Sequence, residues 1–144
     1  MAVFDVRDVA ETERVAATVA EGLSGGGVVR LSGDLGAGKT HFVRGLVHAL
    51  GGDGGLVSSP TYVLLQTYEL ANGRRLHHLD AYRVGGAGDF DEIGFDELLD
   101  DAASGDVVAI EWPERVEAAM PADAVRVTIE HVAAGRRITV GQGR

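Results

Sequence analysis

"VVRLSGDLGAGKTHFVRGLVHAL", residues 28 to 50, decides how this chain folds. "VVRLS" (28–32) reads as a buried strand. From Lys39 to Leu50 the apolar residues recur at helical spacing, and Gly51-Gly52 ends the run. Between strand and helix lies Gly33-Asp34-Leu35-Gly36-Ala37-Gly38-Lys39-Thr40, which satisfies the phosphate-loop pattern G-x-x-x-x-G-K-[ST]. Lys39 is also the only lysine in the chain. Shuffling the same composition would place that lysine in this pattern roughly 0.2 % of the time, so the match is not a chance of glycine richness.

In such a loop the backbone N–H groups turn inward around a β-phosphate, and the following helix adds its positive end. Lys39 would reach the β- and γ-phosphates, and the Thr40 hydroxyl would ligate Mg²⁺. The magnesium needs an acid at the end of a neighbouring strand. "VVAIE" ends in Glu111 and "LHHLD" in Asp80, each an acid closing an apolar run. One would bind the metal while the other holds or deprotonates water, and the residues alone leave the assignment open. "VSSPTYV" (57–63) offers Ser58, Ser59 and Thr61 where phosphate-loop proteins carry a switch sensing the γ-phosphate. Trp112, next to Glu111, reads either as core or as a ring placed to touch a lid or partner. His77 and His78 fall on opposite faces of a strand, so they cannot share an ion and read as structural. His41, Arg44 and His48 share a helix face that reads as solvated. The acidic stretch 89–101 reads as a solvated face or a partner surface.

Outward from the loop, "AVFDV" (2–6) reads as a strand. "DVAETERVAATVAEGL" reads as a helix begun by Asp8 or Thr12, with Val9, Val15, Ala16, Val19 and Leu23 at helical spacings and "SGGG" (24–27) stopping it. "YVLLQTYEL" and "RLHHLDAYR" flank Asn72-Gly73 as a hairpin. "GDFDEIGFDELLDDAASG" reads as helical in pieces, and "DVVAIEW" (106–112) as an apolar run closed by an acid. "VRVTIEHV" and "RRITVGQ" read as a final antiparallel pair joined by Ala133-Ala134-Gly135. These elements predict an α/β phosphate-loop fold. Its mixed sheet has a parallel centre, antiparallel flanking strands and helices on both faces. No repeat or linker interrupts residues 1–144, so one domain is expected.

A net charge of −9 argues against direct binding of tRNA or DNA, which draws much of its affinity from basic side chains. The arginines are scattered, with pairs only at 74–75 and 136–137; a basic partner protein is compatible. The chain has no cysteine, which excludes disulfides and thiolate chemistry. No apolar run is long enough for a membrane helix, and the N-terminus lacks a secretory core, so a cytoplasmic protein is expected.

"LSGDLGAGKTHFVRGL", "SSPTYVLLQTYE", "HLDAYR", "EIGFDELL" and "IEWPER" occur in the order and spacing of the TsaE (YjeE-type) family. Over nearly its whole length the chain resembles those small bacterial ATPases of tRNA threonylcarbamoyladenosine biosynthesis. The resemblance implies that Gly33 and Gly36, Ala37, Gly38, Lys39, Thr40 and His41 cradle the triphosphate of ATP, with Lys39 catalytic. His41 stands where the family often has threonine, a position that contributes its backbone N–H. Thr40 and Glu111 are implied as Mg²⁺ ligands, Asp80 as a further catalytic or metal-linked acid, and Thr61 as part of the switch-like loop. Trp112 matches a functional tryptophan of the family, and Thr12 and Arg136 lie where it approaches the nucleotide. The implied partners are a TsaB-TsaD type complex, reset by ATP hydrolysis between turnovers at adenosine 37, with tRNA met only through that complex. Two other readings are a small-molecule kinase, which needs an acceptor pocket and lid, and a nucleotide switch with negligible hydrolysis. A GTPase is disfavoured because no N-K-x-D motif is present.

Overall fold

The computed structural model describes residues 1–34, 36–57, 65–83 and 94–142. In chain order the elements are β1 (Ala2–Val6), α1 (Val9–Glu21), β2 (Gly27–Ser32), α2 (Lys39–Ala49), β3 (Leu65–Glu69), β4 (Arg75–Asp80), α3 (Phe95–Ala103), β5 (Val107–Glu111), β6 (Val125–Val132) and β7 (Gly135–Gln142). Of the two expected starts for α1, Asp8 is the one used. Its side chain accepts from the Glu11 N–H, while Glu11 Oε1 accepts from the Arg7 N–H at 2.6 Å. That reciprocal cap satisfies donors the helix cannot. Thr12 sits inside the first turn instead. The helix stops at Gly22, before the expected "SGGG", and Val9 is exposed rather than packed.

Among the described residues the strands form one sheet in the order β1-β7-β6-β2-β5-β4-β3. β6, β2, β5 and β4 run parallel, while β3, β7 and β1 pair antiparallel outside them. Every residue of β5 is buried, as a central parallel strand requires. Alternate residues divide the core. Val29, Leu31, Val107 and Ala109 meet Phe42 and Leu46 of α2 on one face. Val28, Val108 and Ile110 meet Phe95 and Leu98 of α3 on the other. The expected fold class, helices on both faces included, is the one observed.

Both predicted hairpins form, β3 with β4 around Asn72 and β6 with β7 from Val132↔Gly135 onward. Residues 62–64 of the first and 89–93 of the acidic stretch lie outside the described residues. The arrangement matters most at one end of the sheet. There the carboxyl ends of β2, β4 and β5 meet, with Leu31 and Asp80 each in register with Glu111. Open α/β sheets bind ligands outside those ends.

Candidate nucleotide-binding site

The phosphate loop leaves β2 at Ser32 and enters α2 at Lys39. Gly36 and Gly38 hold φ of 77° and 116°, left-handed backbone that a side chain would strain. A Cβ at either would meet nothing within 4 Å, so the space above the loop is open. The Ala37 N–H donates to the Asp34 carbonyl at 3.0 Å, closing the turn.

Lys39 lies buried at the mouth of this loop. Its Nζ donates to the Gly33 carbonyl at 2.7 Å, sits 3.8 Å from the centre of the Trp112 ring, and stands 3.9 Å from Glu111 Oε1. Burial pushes the Lys39 ammonium below its ordinary pKa, opposed by the charges of Glu111, Asp80, Glu114 and Asp34. Thr40 follows, half-buried in the first turn of α2.

Glu111 and Asp80 close adjacent parallel strands side by side. Asp80 Oδ1 accepts from the Tyr82 N–H at 2.9 Å. Glu111 is buried, and its Oε2 accepts from His78 Nε2 at 2.5 Å. Trp112 turns the chain out of β5 with φ 58° and ψ 48°, a conformation a bulky residue seldom adopts. Its N–H bonds the Leu31 carbonyl, and its ring packs on Tyr82 at 5.2 Å as well as on Lys39. Trp112 is therefore both packed and at the site. The segment after it is clamped to β2, by Ser32 Oγ on Glu114 at 2.6 Å and by a forked pair of Arg30 with Glu117.

Arg136 arrives from β7, its Nε and Nη2 donating to the carbonyls of Ala37 and Gly36 at 3.1 and 3.3 Å. With Thr12, Gly38 and His41 it lines a cavity of about 280 Å³ beside the phosphate loop. The structure thus gathers Thr12, Gly33, Gly36 to His41, Asp80, Glu111, Trp112 and Arg136 at one end of the sheet. Thr61 and its S-P-T turn lie outside the described residues.

Two readings need correction. Arg44 is not on a solvated face: it donates to the carbonyls of Gly54 and Val57 and contacts His41 Nδ1, tying residues 54–57 to α2. The two histidines do face opposite ways, but only His77, bonded to Asp106 and Thr67, is remote from the site. His78 was missed. The signal for it is strand alternation, which puts residues 78 and 80 on one face once β4 is known to lie beside β5.

A sheet of this order built round such a loop belongs to the P-loop class of nucleotide-binding proteins. The family model described as "Threonylcarbamoyl adenosine biosynthesis protein TsaE" matches residues 6–138, and the chain belongs to that family. It is 34% identical over 128 residues to the tRNA threonylcarbamoyladenosine biosynthesis protein TsaE of Rickettsia conorii, covering 89% of this chain and 70% of that one. Identity with the TsaE of Treponema pallidum is 40% over 136 residues, covering 93% and 96%. The crystal structure of Bacillus subtilis YdiB superposes with a TM-score of 0.76 at 26% identity, covering 99% of this chain and 86% of that one.

Proposed function

We propose that this chain is the ATP-binding and ATP-hydrolysing subunit required for N6-threonylcarbamoylation of adenosine 37 in tRNAs. It acts as one cytoplasmic domain on a TsaB-TsaD type complex and meets tRNA only through it. The observation that carries this reading is Lys39, buried at the mouth of an open glycine loop beside Glu111 and Asp80. The residues present fit a nucleoside triphosphate. The space over Gly36 and Gly38 would admit phosphate oxygens to backbone N–H groups, and Lys39 can exchange the Gly33 carbonyl for them. Arg136 and Thr12 border a cavity sized for the rest of the nucleotide.

The donors also fit magnesium, a hard ion that takes oxygen ligands. Thr40 and Glu111 would hold it, with Asp80 a further acid for the metal or the attacking water. When bound, the ion neutralises charge that builds on the phosphates during transfer. Lys39 shares that task from the loop side, and the Trp112 ring covers the lysine. Thr61 is assigned to the γ-phosphate sensor on the place of the S-P-T turn in the sequence and on the resemblance. Hydrolysis is expected to be slow without the partners.

Calorimetric titration with ATP, with and without Mg²⁺, tests the site. The wild type should bind ATP, Lys39→Ala should lose at least about tenfold in affinity, or about 1.4 kcal/mol, and Glu111→Gln should lose the magnesium dependence. An unaltered Lys39→Ala isotherm would remove the loop from the account.

A further inference from the structure

His78 is entirely buried, and among the described residues its Nδ1 has no hydrogen-bond partner. Leaving a buried polar nitrogen unpaired costs free energy that an apolar residue at the same place would not. The neighbouring strand positions Leu76 and Leu79 are filled in that apolar way, each fully buried. Packing alone therefore has no use for an imidazole here. What the ring does is donate: His78 Nε2 lies 2.5 Å from Glu111 Oε2, shorter and better buried than that carboxylate's contact with Lys39. The other oxygen, Oε1, is 3.9 Å from Lys39 Nζ, too far for a hydrogen bond.

We infer that His78 is a positioning residue for Glu111, a role that rests on reading Glu111 as the metal-binding acid of an ATP site. A carboxylate swings freely about its terminal torsion unless one oxygen is fixed. His78 reaches along β4 from two residues before Asp80 and fixes Oε2. That leaves Oε1 aimed at the mouth of the phosphate loop, where Lys39 stands. Because His78, Asp80 and Glu111 project from one face of two strands in register, the aim is set by the sheet itself. Outer partners of this kind orient metal-binding groups and set their affinity.

The test uses the whole protein with Mn²⁺ as the probe, its affinity measured by electron paramagnetic resonance in the presence of ADP. His78→Leu should weaken Mn²⁺ by about 10–100-fold, while ADP affinity without metal stays at the wild-type value. His78→Gln, whose amide N–H can occupy the place of Nε2, should restore most of the loss. His78→Asn, one bond shorter, should not. Magnesium-dependent turnover should follow the same order through kcat rather than the KM for ATP. Nitrogen-15 spectra of the wild type should show His78 protonated at Nε2.

A ring bare at Nε2 overturns the inference, as does a glutamine variant no better than leucine or asparagine. If the leucine variant does not fold, the glutamine–asparagine pair and the wild-type spectrum still decide. A wild type that binds ADP and Mn²⁺ beside an equally competent His78→Leu defeats this inference alone. A wild type that binds neither defeats the ATP-site reading, and this with it.

Discussion

Lys39 shows how one side chain can be legible in sequence and still hide its surroundings. The pattern around it announced a phosphate grip. It could not announce that the ammonium lies under Trp112 and beside Glu111, because those contacts join residues 72 or more positions apart. Its depressed pKa has a consequence for stability. The unfolded chain holds the proton more tightly, so burial destabilises the fold fully below the lowered value. That cost fades as pH rises toward 10.5, the ordinary lysine value. Lys39→Met should therefore have a Tm at pH 7 no lower than wild type, with any advantage shrinking in more alkaline buffer. Thermal scans that place the variant several degrees below wild type would contradict the burial argument. Trp112 is the chain's only tryptophan. ATP should draw Lys39 from its ring and change its fluorescence, and Lys39→Met should abolish that change.

Elements were legible where period and punctuation agreed. β2, α2, β5 and the C-terminal hairpin fall where apolar spacing and glycine turns put them. Asp80 and Glu111 were found because each ends an apolar run, the mark of a central strand leaving the core. Strand order is not legible: nothing local says that β4 lies beside β5, so the sequence alone leaves His78 structural. Arg44 follows the same rule, since helical spacing shows a shared face but not the loop that covers it. The approach of α1 to α2 was equally hidden. A Cβ on Gly45 would stand 2.8 Å from Ala16 Cβ and 2.9 Å from Glu13 Cα. Helix propensity favours alanine over glycine by about 1 kcal/mol. Here overpacking should win, and Gly45→Ala should destabilise the protein by about 1–3 kcal/mol. Denaturant unfolding at unchanged m-value would measure it, and a stabilised variant would show that the helices yield.

For the whole molecule, a charge of −9 argues against direct tRNA binding. An ATPase of a tRNA-modifying pathway need not grip tRNA, and the arginines are scattered along the sequence. Several are engaged inside the protein: Arg30 with Glu117, Arg44 with the 54–57 segment, and Arg136 with the phosphate loop. The isolated chain should leave tRNA unshifted in a mobility assay at physiological salt, and a salt-sensitive complex would contradict that reading. The fold class and the site residues meet in one proposal, that the loop, Lys39 and the two acids hydrolyse ATP when a partner complex engages them. Phosphate release with Mg²⁺ and ATP, with and without a TsaB-TsaD type complex, tests it most directly. The account predicts slow release alone, faster release with the complex, and none from Lys39→Ala in either case. Equal release from Lys39→Ala, or phosphate delivered to a small acceptor instead of water, would contradict it.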